Sequence, residues 1–377
     1  MMVGMKRTLE DRIKGDLDQK IVLLTGPRQV GKTTLAKALY PKSSEYFNMD
    51  SREHRLLLLK KAWNRSCDLV IFDELHKIRK WKNWVKGVYD TEGVRPRLLV
   101  TGSAHMDIYR KGGDSLAGRF YAYRLHPFTV AELKGTNDPE SNLEQIMKLG
   151  GFPEPFLKGT ETHAKRWRRS HTDRILREDL ADIASVRDIR GLETLVELLR
   201  TSVGSTVSYE SLSRDLQVSP HTVKHWIRTL ENLYIIFLVT PYSRNIARSL
   251  LKQPKIYFYD TGLLTEDSGA RFENAVACAL LKRLHFVEDT EGEKCGLHYL
   301  RDKEKREVDF FTVRDGKPEW LVETKTSEVD VSSLKHFSSF IGKKPEPLLL
   351  VKNLDREMQL EGIKVKKAAR WLETLEA

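Results

Sequence analysis

The chain has 377 residues, 40% of them hydrophobic and 31% charged, which suffices for two or three domains with proper cores. No apolar run approaches the ~20 residues that cross a bilayer, so a membrane-spanning protein is excluded as an expectation. The net charge of +11 favours a polyanionic partner, the alternative being simply a soluble basic protein.

Three cysteines, Cys67, Cys278 and Cys295, show no CxxC spacing. That argues against structural zinc and for a reducing compartment. The N-terminal stretch MMVGMKRTLEDRIKG lacks the apolar core of a signal peptide, so a cytoplasmic location is expected.

In chain order, residues 1–20 read as a charged amphipathic helix. From 21 to about 128, the strand-like runs IVLLT, YFNMD, DLVIFDE, RLLVTGS and FYAYRLHPF alternate with helical stretches. Continuous apolar runs separated by helices predict an α/β fold with a parallel sheet buried on both faces. Residues 134–145 (KGTNDPESNLEQ) read as a boundary or lid loop, GGFPEPF as a second break, and 160–200 as charged helix. Residues 205–260 have a winged-helix layout, and the last segment mixes one helix with several short strands. The expected boundaries are 1–135, 136–200, 201–262 and 263–377.

GPRQVGKTT matches G-x-x-x-x-G-K-[ST], between the strand-like IVLLT and the helix-like TTLAKALY. Glycines let backbone N–H groups face an anion, and the helix N-terminus adds positive potential. Gly26, Pro27, Arg28, Gln29, Val30, Gly31, Lys32, Thr33 and Thr34 are the predicted cradle for the phosphates of ATP. Lys32 is expected to reach the β- and γ-phosphates, and the Thr33 hydroxyl to ligate Mg²⁺. DLVIFDEL, some forty residues on, ends in two acids. Asp73 there is suited to hold Mg²⁺ and Glu74 to act as general base. Ser103, after RLLVTGS, is either a γ-phosphate sensor or a helix N-cap. Arg119 is the candidate finger for a neighbouring subunit's site, with Arg110 and Arg124 close in sequence.

In the middle unit Ser219 and Pro220 open a helix. Val223, Ile227 and Leu230 share one side of it, with Trp226 beside them. His221, Lys224, His225 and Arg228 fall on the other, a basic stripe suited to the major groove of DNA. The segment that follows carries Arg244, Arg248, Lys252 and Lys255 and no acid, as a phosphate-tracking loop would. Further on, Glu273 lies on a helical run, Asp309 ends EVD, and Glu323 and Lys325 form E-x-K on a strand. Asp309 and Glu323 are candidate metal ligands, Lys325 would orient a water, and Glu273 would complete the site.

Together GPRQVGKTT, IFDELHKI, TGSA, SLAGRFYAYRLHPFTVAEL, GGFPE, KIYFYDTGLL, RFENAVACALLK, EVDFF and ETKTS resemble a bacterial and archaeal family that joins an AAA-type ATPase to a C-terminal domain of long-unassigned function. The resemblance runs to about residue 340. It implies an AAA-type P-loop core, a winged-helix segment and a C-terminal α/β restriction-endonuclease-like domain similar to the PD-(D/E)xK nucleases. It carries the ATP roles onto Lys32, Thr33, Asp73, Glu74, Ser103 and Arg119, and the nuclease roles onto Glu273, Asp309, Glu323 and Lys325. Thr324 departs from the apolar residue usual in the middle of E-x-K. The expected activity is an Mg²⁺-dependent ATPase that binds and remodels or translocates on DNA, with metal-dependent nuclease activity as a candidate addition, working as a homo-oligomer, a hexamer by analogy. The rivals are an ATP-gated protein-binding switch with a silent nuclease fold and a remodeller of protein complexes.

Overall fold

The computed structural model describes residues 5–102, 116, 118–180, 188–243, 253–264, 267–341 and 345–376. They fall into two compact units, Met1–His126 and Pro127–Ala377.

In the first unit, α1 (Glu10–Leu17) buries Ile13 and Leu17 and pairs Lys14 with Glu10 at 2.7 Å. Strands β1 (Ile21–Thr25), β2 (Ser44–Asn48), β3 (Leu69–Asp73), β4 (Arg97–Thr101) and β5 (Phe120–Arg124) form a sheet in the order β2-β3-β4-β1-β5, every pairing parallel. The connections carry α2 (Lys32–Leu39), α3 (Arg52–Leu59) and α4 (Trp81–Glu92). β1, β3 and β4 are buried at every residue, so they read as unbroken apolar runs in the sequence. Phe47, Trp63, Phe72, Val85 and Val88 fill the core beside the sheet. The Trp63 and Phe72 rings meet edge-on at 5.7 Å. The register Asn48↔Asp73 and Asp73↔Thr101 aligns the carboxyl ends of the strands. β1 sits between β4 and β5, two strands made later in the chain, and the gap at that edge is where α/β sheets receive ligands.

The second unit opens with a departure from expectation. Asp138 caps α5 (Pro139–Leu149), its carboxylate accepting from the Ser141 N–H at 2.9 Å, and Pro139 takes the first helical position. The polar run at 134–145 is therefore helical over most of its length, because a good cap and the buried Leu143 and Ile146 outweigh its loop-like composition. α6 (Pro153–Lys158), α7 (Glu161–Arg174) and α8 (Ile189–Arg200) follow.

Arg168 on α7 donates from Nε to Asp260 at 2.9 Å, and both side chains are buried. Asp260 also accepts from the Gly262 N–H at 3.0 Å. Replacing Asp260 with alanine leaves an uncompensated guanidinium inside, at an expected cost of about 3–5 kcal/mol. Urea unfolding of the variant checks this; an unchanged midpoint would mean that the pair contributes nothing.

A helix pair, α9 (Tyr209–Asp215) and α10 (Pro220–Asn232), leads into the antiparallel hairpin of β6 (Ile236–Pro241) and β7 (Lys255–Phe258). The hairpin is not a free wing. β6 pairs in parallel with β8 (Cys295–Arg301) through Thr240↔His298, and β7 bridges back to the start of the helix pair through Thr206↔Lys255. After α11 (Ser268–Glu291) come β8, β9 (Glu307–Arg314), β10 (Lys317–Lys325), α12 (Ser332–Phe340), β11 (Glu346–Val351), β12 (Met358–Leu360), β13 (Ile363–Lys367) and α13 (Ala368–Glu373). The sheet order is β12-β13-β11-β10-β9-β8-β6-β7. The described residues after 263 thus hold three helices where the sequence suggested one. α12 and α13 are nine and six residues long, too short for a clear helical period.

Candidate active site

The loop from β1 to α2 folds as its glycines require. Gly26 has φ +141°, and a Cβ there would lie 2.3 Å from the Leu125 carbonyl oxygen, so only glycine fits. Gly31, at φ 100°, starts α2 without a side-chain cap. The first-turn N–H groups of α2 thus open onto the loop, a built-in anion site. Pro27 and Val30 are buried, Arg28 half-buried, Gln29 and Thr34 exposed. The Lys32 ammonium is buried and donates to the carbonyls of Gly26 at 2.9 Å and Pro27 at 2.7 Å, folding over the loop it serves. Arg7, which the sequence reading passed over, donates to the carbonyls of Val30 (3.0 Å) and His126, tying the loop to the end of β5.

Asp73, at the tip of β3, accepts hydrogen bonds from three hydroxyls: Thr33 at 2.9 Å, Tyr46 at 2.5 Å, and Thr101. Burial, then the bond to Asp73, pushes the Tyr46 hydroxyl well above its usual range and keeps it a donor. Tyr46 and Thr101 were missed because only strand pairing brings them to Asp73. The hydroxyl of Thr33 and the carboxylate of Asp73 form an oxygen donor set of the kind Mg²⁺ takes beside phosphates, so these residues fit that ion.

Glu74 follows in the left-handed region (φ 56°), its N–H donating to the Thr101 carbonyl at 3.0 Å. Burial raises its carboxyl above the ordinary glutamate range. Lys32 opposes this shift and Asp73 adds to it. His76 Nδ1 lies 3.5 Å from its Oε2.

Arg119 stands at the other end of the sheet. Its carbonyl accepts from the Ile21 N–H at the start of β1, and its guanidinium grips Asp90 at 2.7 Å. A five-residue strand separates it from the phosphate loop, ~16 Å at 3.3 Å per residue. Arg124, beside Thr25 in the register, is at the loop's end instead. Ser103 and Arg110 lie outside the described residues, as do Arg244, Arg248 and Lys252.

In the second unit α10 buries Val223, Trp226, Ile227 and Leu230 and leaves His221, Lys224, His225 and Arg228 exposed. Ser219 caps it, accepting from the Thr222 N–H at 3.1 Å.

The acids of the C-terminal sheet do come together, around a cation that the sequence reading assigned elsewhere. Lys255 does not track phosphates; it is 1% exposed. Its ammonium lies 2.7 Å from Glu307 and 3.5 Å from both Glu273 and Asp309. Burial disfavours its charge, but Glu273, Asp309 and Glu307 outweigh that and raise its pKa. Tyr257, two residues along β7, donates to Glu273 at 2.6 Å. Thr324, the departure noted in E-x-K, donates from its N–H (2.9 Å) and its hydroxyl (2.8 Å) to Asp309. Glu323 pairs with Lys325 at 3.1 Å. Burial pushes Glu273 and Glu323 up to about 7 each; Asp309 adds to both shifts, while Lys255 opposes that of Glu273 and Lys325 that of Glu323. Among the described residues no three metal-binding side chains are set for one ion, so the cluster as it stands does not fit a metal. The alternation of Lys255 and Tyr257 along KIYFYD was the available signal, since both had to point to one side of a strand.

Among known proteins, residues 18–134 match the family described as AAA domain. Residues 140–272 match Domain of unknown function (DUF8612), and 268–371 match Domain of unknown function (DUF4143). An uncharacterised protein of Mycobacterium tuberculosis is 27% identical over 324 residues, covering 83% of this chain and 72% of that protein. One from Methanocaldococcus jannaschii is 23% identical, covering 80% and 74%. One from Haemophilus influenzae is 22% identical, covering 98% of each. A solved STAND-type signal transduction ATPase from Pyrococcus horikoshii aligns at TM-score 0.24 and 12% identity, over 76% of this chain and 48% of that one, too loosely to bear on the fold. No helix among the described residues is long and apolar enough to cross a membrane. The glycine cradle with Lys32 and the Thr33–Asp73 contact both lie within residues 18–134, the part of the chain that is similar to the AAA domain family.

Proposed function

We propose that the chain is an Mg²⁺-dependent ATPase that binds DNA and remodels or translocates on it, working as a homo-oligomer in the cytoplasm. The observation that carries the ATPase reading is the hydrogen bond from Thr33 to Asp73, which joins the phosphate loop to a strand tip that also bears Glu74. The loop amides and Lys32 would bind and orient the triphosphate. Thr33 and Asp73 would hold Mg²⁺, which when bound offsets charge on the phosphate oxygens. The Glu74 carboxylate, made more basic by burial, would accept the proton of the attacking water.

The exposed face of His221, Lys224, His225 and Arg228, on a chain of net charge +11, supports DNA as the partner. Arg119, a strand's length from its own phosphate loop, suits a role in a neighbouring subunit, and a hexamer follows from AAA analogy alone. Phosphate release by the full chain, with and without duplex DNA, tests the proposal. The double variant Lys224→Ala, Arg228→Ala is expected to lose the DNA stimulation, keep basal turnover, and lower the salt slope of DNA binding by about 2. Stimulation unchanged in that variant would remove DNA from the reading and leave the ATPase in place.

A second reading, an ATP-gated switch that binds proteins and carries a silent nuclease fold, is favoured by one observation: the ammonium of Lys255 among the acids. Metal-dependent cleavage of duplex, single-stranded or branched DNA that disappears in Glu323→Ala would overturn it.

A further inference from the structure

We propose that Lys255 is the resident cation of the C-terminal carboxylate cluster, filling the position that a nuclease-like centre would give to a divalent metal. The three N–H bonds of one ammonium face three carboxylates: Glu307 at 2.7 Å, Glu273 at 3.5 Å and Asp309 at 3.5 Å. Further hydrogen bonds to the cluster come from within the chain. Tyr257 donates to the same Oε1 of Glu273 that faces Lys255, and Thr324 donates twice to the far oxygen of Asp309. Gly204 closes another side, so near that a Cβ would come within 2.8 Å of the Glu273 carboxylate.

A divalent ion asks for about six oxygens at 2.0–2.6 Å. To gain them here it would have to evict an ammonium whose side chain is 1% exposed and strip the hydrogen bonds from Asp309. The backbone leaves Lys255 little room to withdraw. It pairs with Val239 in the hairpin and bridges to Thr206 on its other side. An internal ammonium thus supplies, permanently and without regard to metal supply, the charge that makes a carboxylate cluster tolerable inside a protein. Glu323 stands apart from this cage. Its Oε1 meets Lys325, while its buried Oε2 has no hydrogen-bond partner among the described residues. A buried acceptor without a donor is a place an ion would satisfy, so the wild-type chain must itself be titrated.

The experiment is Mn²⁺ binding by electron paramagnetic resonance on the nucleotide-free full chain, with Asp73→Asn and Asp309→Asn to sort any bound ion between the two units. Wild type is expected to bind no ion that Asp309→Asn removes. Lys255→Met is expected to melt roughly 10 °C lower in EDTA. It is also expected to gain an ion sensitive to Asp309→Asn, which restores part of that loss. Wild-type Mn²⁺ binding abolished by Asp309→Asn overturns the proposal, and so does a folded Lys255→Met that gains no ion. Should Lys255→Met not fold, the wild-type titration decides, with Lys255→Arg expected to gain no ion sensitive to Asp309→Asn because it keeps the charge. None of these readouts involves nucleotide, so failure here and failure of the ATPase reading are separate results.

Discussion

Lys32→Ala is expected to lower ATP turnover by about 10³-fold or more, the scale seen when a charge that meets a transferring phosphoryl group is removed. The ammonium is buried and rests on the carbonyls of Gly26 and Pro27, so it is held at the mouth of the loop before any nucleotide arrives. Alanine removes both the charge and the strap across the loop. Binding and chemistry should therefore fail together, with weaker uptake of a fluorescent ATP analogue and a lower kcat. Normal turnover in this variant would dismiss the phosphate site as the centre of activity.

Glu74→Gln should separate those two effects. The amide keeps the shape of the side chain but cannot take a proton, and loss of a general base typically costs about 10²–10⁴-fold in kcat. Binding should survive, because the loop, Lys32 and Asp73 are untouched, so the variant should hold unhydrolysed ATP through gel filtration. The pH dependence carries a matching signature. Burial raises the Glu74 carboxyl, and the base form is the active one. Turnover should thus be full above that raised value and fall as pH drops through it, at a higher pH than an ordinary glutamate would give. The residual activity of Glu74→Gln should lack this limb; if it retains the limb, some other group is the base.

How much of this could be read in the chain depended on the range of the contact. GPRQVGKTT encodes its own geometry, since the glycines at 26 and 31 set the turn and the next residues start the helix. The two sides of α10 were equally open to reading, because residues three and four apart share a helical face: Val223, Ile227 and Leu230 went inside, and Lys224 and Arg228 stayed out. Tyr46 and Thr101 were not open to it. Their meeting at Asp73 depends on two strand registers between segments 27 and 28 residues away. Lys255 was misread for the same reason. In sequence it follows a run of basic residues and looks like one more, while its three acidic partners are supplied by α11 and β9. The helix at 139–149 was hidden by composition, its cap and first proline resembling a turn until the buried face behind them is taken into account.

The anchoring of the hairpin has a mechanical consequence. α10 runs directly into β6, β6 is stitched to β8 on one side and to β7 on the other, and β7 is fastened to the segment ahead of α9. The helix pair and the lysine-bearing strand are therefore joined through paired backbone. A load applied to the basic helix would reach the strand that carries the buried ammonium through the β6–β7 hydrogen bonds.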